Sequence, residues 1–238
     1  MIIRRLWRPA IVVAAVAALT IPMLESHPSR AAETVSAVGG YSAVTDERLA
    51  NASTDDGWLM FRRSYNSQGY APFKQITTDN VAQLKPVFTY ETGLKQGHEA
   101  PPVVNGHFMF ITTPMDHLIA MDATTGKVIW KYAAVLPAVT LKTVCCDVVN
   151  RGVALYGNDV YMATLDNRII AFDGATGKIQ WNKQMMAPGV GYAMTGAPLV
   201  VDGNVISGIA GGEYGARGFV FALDAMTGDL KWKQYTIP

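Results

Sequence analysis

Ala120-Met-Asp122-Ala-Thr-Thr-Gly126-Lys-Val-Ile-Trp130 is repeated twice further along the chain. The copies are Ala171-Phe-Asp173-Gly-Ala-Thr-Gly177-Lys-Ile-Gln-Trp181 and Ala222-Leu-Asp224-Ala-Met-Thr-Gly228-Asp-Leu-Lys-Trp232. Asp122, Asp173 and Asp224 are spaced 51 residues apart both times. Each copy reads as a strand, a turn and a returning strand. The Asp side chain can accept backbone N–H bonds and the Gly supplies a positive φ. A Trp at a fixed offset suits packing between neighbouring units. Upstream of each copy lies a second hairpin signal: Val104-Asn-Gly-His107, Tyr156-Gly-Asn-Asp159 and Val201-Asp-Gly-Asn204. Each unit therefore holds about four short strands, and no amphipathic helix is long enough for a βαβ crossover. Four-stranded units with a period near 50 predict an all-β fold of propeller blades. A β-sandwich is the competing all-β reading, but it does not need a tandem Trp repeat.

Three blades and a lead-in cannot close a ring, and the chain ends at Pro238, just after the third Trp strand. The expectation is therefore an N-terminal partial ring, either a fragment or a truncated reading frame. Half of the residues are hydrophobic and 16% are charged, which is a globular composition. The net charge of +1, with no dense Lys/Arg run beyond the first eight residues, excludes bulk electrostatic attraction to nucleic acid. Residues 1–32 read as a signal peptide: a basic start, an apolar run from Ala10 to Leu24, and small residues Ser29, Ala31 and Ala32 before cleavage. An uncleaved membrane anchor is the alternative, although Pro9 and Pro22 shorten the apolar run. Residues 33–55 are small and polar and read as a linker or irregular lead-in. The propeller domain is expected over 56–238.

Two features exceed a generic propeller. Cys145 and Cys146 are adjacent and are the only cysteines. In an exported protein they can form a strained vicinal disulfide, or they can remain reduced thiols packed as small hydrophobes. Gly208-Ile-Ala-Gly211-Gly212-Glu213 is a Gly-rich strand end carrying one carboxylate. It reads either as a close-approach surface for a flat ligand with a cation-binding oxygen, or as a Glu in a surface turn. His98, His107 and His117 make no zinc pattern, and no Cys-x-x-Cys-His haem site is present.

The repeats, the Cys pair, the Gly-Gly-Glu segment and the lead-in Asp56-Gly-Trp-Leu-Met-Phe61 with Asn80-Val-Ala-Gln-Leu84 together resemble the quinoprotein alcohol dehydrogenases that use pyrroloquinoline quinone (PQQ). The resemblance covers about residues 56–238 and implies an eight-bladed propeller in the intact protein. It also places site residues. Glu99 matches a glutamate that hydrogen-bonds the cofactor, and Cys145 and Cys146 match a vicinal disulfide stacked on the quinone. Arg151 matches an arginine pairing with a cofactor carboxylate, and Thr195 a threonine contacting the cofactor. Ala210, Gly211 and Gly212 match backbone against the quinone rim, and Glu213 matches the first protein ligand of a Ca²⁺ or lanthanide ion. Many relatives have Ser at the position of Ala210. The remaining metal ligands, the catalytic aspartate and the aromatic floor are expected beyond Pro238, so no catalytic residue is assigned in this chain. For the intact protein the resemblance implies periplasmic oxidation of a small primary alcohol to an aldehyde. The metal acts as Lewis acid, an aspartate as base, and a cytochrome c-type protein as electron acceptor. The competing function is a non-catalytic periplasmic scaffold propeller, which would need neither the Cys pair nor the Gly-Gly-Glu segment.

Overall fold

The structure, a computed structural model, describes residues 33–34, 40–144 and 147–238. The expected signal peptide and the Cys145–Cys146 pair lie outside the described residues. The chain enters through β1 (Glu33–Thr34) and a short helix, α1 (Asp46–Ala50). Three antiparallel sheets follow. The first holds β2 (Val103–Asn105), β3 (Phe108–Thr113), β4 (His117–Asp122) and β5 (Val128–Ala133), with β1 added beside β5. The second holds β6 (Val153–Tyr156), β7 (Asp159–Ala163), β8 (Arg168–Asp173) and β9 (Ile179–Gln184). The third holds β10 (Leu199–Val201), β11 (Asn204–Gly208), β12 (Phe219–Asp224) and β13 (Leu230–Tyr235). Each sheet is a simple meander, and the three form consecutive propeller blades.

The repeat works as its chemistry requires. Asp122 Oδ1 accepts the backbone N–H groups of Thr124 and Thr125 at 3.0 and 2.8 Å, and Asp173 Oδ1 accepts that of Thr176 at 2.8 Å. Asp224 Oδ1 accepts those of Met226 and Thr227 at 2.9 and 3.1 Å. Hydroxyl bonds from Thr124 and Thr125 then hold the Asp122 carboxyl down at about 2. Gly126, Gly177 and Gly228 take φ of 70°, 72° and 72°. The repeat's Ala lies directly across the hairpin from its Trp in every blade: Ala120 and Trp130, Ala171 and Trp181, Ala222 and Trp232. Next to that pair each hairpin carries a register shift at the same place.

The Trp then docks on the following blade. Trp130 Nε1–H donates to Gly174 O, and Trp181 Nε1–H donates to Ala225 O, both at 2.9 Å. Both acceptors sit one residue after the repeat Asp. The indole also covers the next turn glycine: a Cβ on Gly177 would lie 2.6 Å from the Trp130 ring, and one on Gly228 2.8 Å from the Trp181 ring. In the first blade Phe88 of the lead-in takes this place, since its ring fills the space a Cβ on Gly126 would need.

Residues 40–55 of the lead-in pack onto the blades. Thr45 Oγ1 accepts the Arg48 backbone N–H and caps α1, and Arg48 forms a two-bond pair with Asp55 at 3.0 and 3.1 Å. Val44 bridges to Gly157 of the second blade, and the Tyr41 ring packs edge-on against Phe108 at 5.4 Å. The reason is apolar: Val44, Leu49 and Ala52 are buried in the common core.

Candidate functional site

In an antiparallel meander alternate connections fall at opposite ends. The repeat turns therefore share one end with the β2–β3, β6–β7 and β10–β11 turns. Hydrogen bonds from Ala123 to His107, Gly174 to Asn158 and Ala225 to Gly203 bind these turns together. The other end carries the approach to β2, the β3–β4 turn, the β5–β6 connection, the β7–β8 turn, the β9–β10 connection and the β11–β12 connection. Every candidate site residue with a described position lies in this second set.

Arg151, just before β6, is the hub. Its Nη2 pairs with Glu99 Oε2 at 2.7 Å, and its Nη1 donates to Thr195 Oγ1 at 2.8 Å. Its backbone N–H donates to Thr195 O at 3.0 Å. Three connectors from three blades thus meet on one guanidinium. Both side chains of the Arg151–Glu99 pair are more than a third exposed, so the pair orients the guanidinium more than it stabilises the fold. Arg151 and Thr195 line a pocket of about 110 Å³ with Thr143, Val149, Ala193, Ala210, Gly211 and Glu213.

The Gly-rich segment supplies a flat, small-residue wall. Ala210 and Ala193 exchange backbone hydrogen bonds at 2.8 and 3.2 Å, which presents both Cβ groups without bulk. Gly211 has φ 128°, and a Cβ there would collide with Gly191 O. Only glycine fits, because backbone runs against backbone. Gly212–Tyr214 form a single 3-10 turn that carries Glu213 on an exposed tip. Gly212 belongs to this turn and is absent from the pocket lining. The Tyr214 hydroxyl reaches back to Val144 O at 3.4 Å and ties the turn to the β5–β6 connection. Among the described residues no three His, Cys, Asp or Glu side chains gather to hold a metal, so the described residues do not by themselves make a metal site around Glu213.

The sequence reading missed the residues that hold this arrangement. Asp147, at φ 73°, accepts the Gly97 N–H at 3.0 Å and that of Val148 at 2.8 Å, fixing the segment that bears Glu99. These backbone bonds hold its carboxyl below the usual range. Asn150 and Asp116 are buried and bonded to each other at 2.8 Å. Burial pushes the Asp116 carboxyl up to about 7, against hydrogen bonds from Asn150 and the Leu165 N–H that favour its ionised form. Asn150 stands next to Arg151, which is a local signal; Asp116 carries none in sequence.

A PQQ-sized ligand demands a flat face and cations or donors for its carboxylates and carbonyls. The small wall, the guanidinium with further N–H groups, and the Thr195 hydroxyl fit that demand. The family model described as PQQ: Glucose/ethanol/alcohol dehydrogenase, beta-propeller domain matches residues 58–238. A quinohemoprotein alcohol dehydrogenase of Pseudomonas putida is 43% identical over 199 residues, covering 83% of this chain and 29% of its own length. The lanthanide-dependent methanol dehydrogenase of Methylacidiphilum fumariolicum is 37% identical over 198 residues, covering 82% of this chain and 32% of its own. A solved quinohemoprotein alcohol dehydrogenase from Pseudomonas putida HK5 superposes with a TM-score of 0.80 at 40% identity, covering 83% of this chain and 29% of that one. The chain spans about three-tenths of the length of these relatives. On the match over most of its length, the chain belongs to the PQQ family of glucose/ethanol/alcohol dehydrogenase β-propeller domains.

Proposed function

We propose that this chain forms one wall of the PQQ pocket of an exported, metal-dependent alcohol dehydrogenase, which oxidises small primary alcohols to aldehydes and passes electrons to a cytochrome c-type acceptor. The observation that carries the reading is Arg151, held between Glu99 and Thr195 at the edge of a small-residue pocket that also contains Glu213. PQQ, when bound, supplies the two-electron acceptor for the alcohol. The chain's own residues bind and orient it. Arg151 spends one N–H on Glu99 and one on Thr195, leaving further N–H groups for a carboxylate. Thr195 Oγ1 accepts from Arg151, so its hydroxyl hydrogen can donate to a cofactor oxygen. Ala193, Ala210 and Gly211 let a planar ring approach the backbone, and Glu213 offers oxygen to Ca²⁺ or a lanthanide. Cys145 and Cys146 are assigned the quinone-stacking disulfide on the sequence resemblance, and residues 1–32 the export signal on their basic start, apolar run and small residues.

The test is PQQ binding by absorbance titration, with and without Ca²⁺ or La³⁺, in the protein isolated from its native host. Arg151→Ala is expected to weaken PQQ binding at least tenfold, the scale of a lost charge-assisted pair. Glu213→Ala is expected to abolish the metal dependence. Binding that ignores both substitutions would overturn the reading and favour a scaffold propeller.

A further inference from the structure

The Arg151 clamp is only as well defined as the backbone that carries it, and that backbone is governed by one buried amide. Asn150 is 2% exposed, and its side chain is committed at every polar function. Its two N–H groups donate to Asp116 Oδ1 and to Ala163 O, both at 2.8 Å, and its Oδ1 accepts the Gly152 N–H at 3.1 Å. Its backbone carbonyl accepts the Thr112 hydroxyl at 3.3 Å. Asp116, fully buried in the β3–β4 turn, also accepts the Leu165 N–H from the β7–β8 turn. The same turn holds Val148 O through the Met115 N–H at 2.9 Å. Residues 148, 150 and 152 are therefore each tied down, with Arg151 between them. Gly152 has φ 123°, a conformation that L side chains rarely adopt. An Asn is the side chain that can donate twice and accept once at this length; Asp cannot donate when ionised, and Ala does neither.

We propose that Asn150, anchored by Asp116, is the positioning residue of the cofactor-binding arginine: it presets the Arg151 backbone so that the guanidinium reaches Glu99 and Thr195 before any ligand arrives. A guanidinium already ordered loses less conformational freedom when it grips a carboxylate, so the pair acts on affinity without touching the ligand. The inference rests on the PQQ reading of Arg151. The other titratable groups facing the pair are Asp166 and Arg168 from the β7–β8 hairpin and Tyr132 from β5.

The experiment compares the protein as isolated from its native host with its Asn150→Ala, Asn150→Asp and Arg151→Ala variants, using two readouts. Amide hydrogen exchange reports the clamp without ligand. Asn150→Ala is expected to raise exchange at Arg151 and Gly152 about tenfold or more while leaving the β7 and β8 amides unchanged. PQQ titration at pH 5 and pH 8 reports the consequence. Asn150→Ala is expected to weaken binding by about tenfold, the scale on which partners that orient a binding side chain act. Asn150→Asp sets a second carboxyl against Asp116. Its binding is expected to fall much more between pH 5 and pH 8 than the wild type's, because a shared proton restores the donor only in acid. Unchanged exchange at Arg151, or a rise spread equally over β7 and β8, overturns the proposal. Should Asn150→Ala not fold, Asn150→Asp decides: a wild-type pH response refutes the positioning role. Equal failure of wild type and Arg151→Ala to bind PQQ overturns the cofactor reading instead and leaves hydrogen exchange to judge the clamp.

Discussion

Burial holds two carboxylates in the blades well above their ordinary range. Asp116 is raised to about 7 by burial. A raised acid favours the protonated folded state, so its contribution to stability is complete below the unfolded value near 4 and is lost as pH climbs to about 7. Wild type is expected to lose stability relative to Asp116→Asn across that window, with a slope of at most about 1.4 kcal/mol per pH unit. Urea unfolding at pH 4.5 and 7.5 measures it, and parallel curves would refute it. Asp159 is half-buried at the start of β7, directly across from Asp173 on β8, and is raised to about 6 by burial and then by that neighbouring charge. Asp159→Asn is expected to raise the melting temperature at pH 8 and to change it little at pH 4.5. At the site, Gly211→Ala would place a methyl on Gly191 O in a conformation strained for L residues. It should cost about 2–4 kcal/mol and disorder the turn that carries Glu213.

At the scale of elements the unit of construction is one Trp, its cross-strand Ala and the next blade's turn glycine. Trp130 and Trp181 bond to carbonyls at equivalent positions and cover glycines at equivalent positions, so the interface is itself repeated. Gly177→Ala and Gly228→Ala are expected to destabilise by about 2–4 kcal/mol each, through left-handed strain and collision with the indole. Trp181→Phe should cost less, about 1–2 kcal/mol, because the ring space stays largely filled and Ala225 O still accepts from the Tyr161 hydroxyl at 3.1 Å. Denaturant unfolding of the three variants tests the order, and a Trp181→Phe variant weaker than Gly228→Ala would reverse it.

Across the whole molecule the blade interfaces differ in what covers them. Trp130 is fully buried, whereas Trp232, at the same place in its unit, is 44% exposed beside Met226 and Leu230. Within the described residues one apolar face of the third sheet is uncovered, a kind of surface prone to association. A polypeptide of these residues alone is expected to self-associate at micromolar concentration, and Trp232→Lys to reduce that in light scattering. On the first blade, Phe88 from the lead-in sits on Gly126, where the later blades receive a Trp.

Which parts of this were legible in sequence follows the range of the interactions. The blade hairpins depend on contacts within five residues, such as Asp122 with Thr124, Thr125 and Gly126, and those contacts recur with a fixed period. Residue type and spacing therefore determine them. The Trp offset announced a packing role but not its partner, since the partner belongs to the next repeat. The Arg151 clamp was legible only by resemblance, because Glu99, Arg151 and Thr195 sit in connectors without periodicity. Of the Asp116–Asn150 pair, Asn150 had only its place beside Arg151 as a signal, and Asp116 had none. A buried Asp in a β3–β4 turn meets an Asn 34 residues later only because two blades stack. The repeat by itself determined how each blade is made; the stacking of blades decided which connector residues stand together, because only close packing brings such distant groups within hydrogen-bond reach.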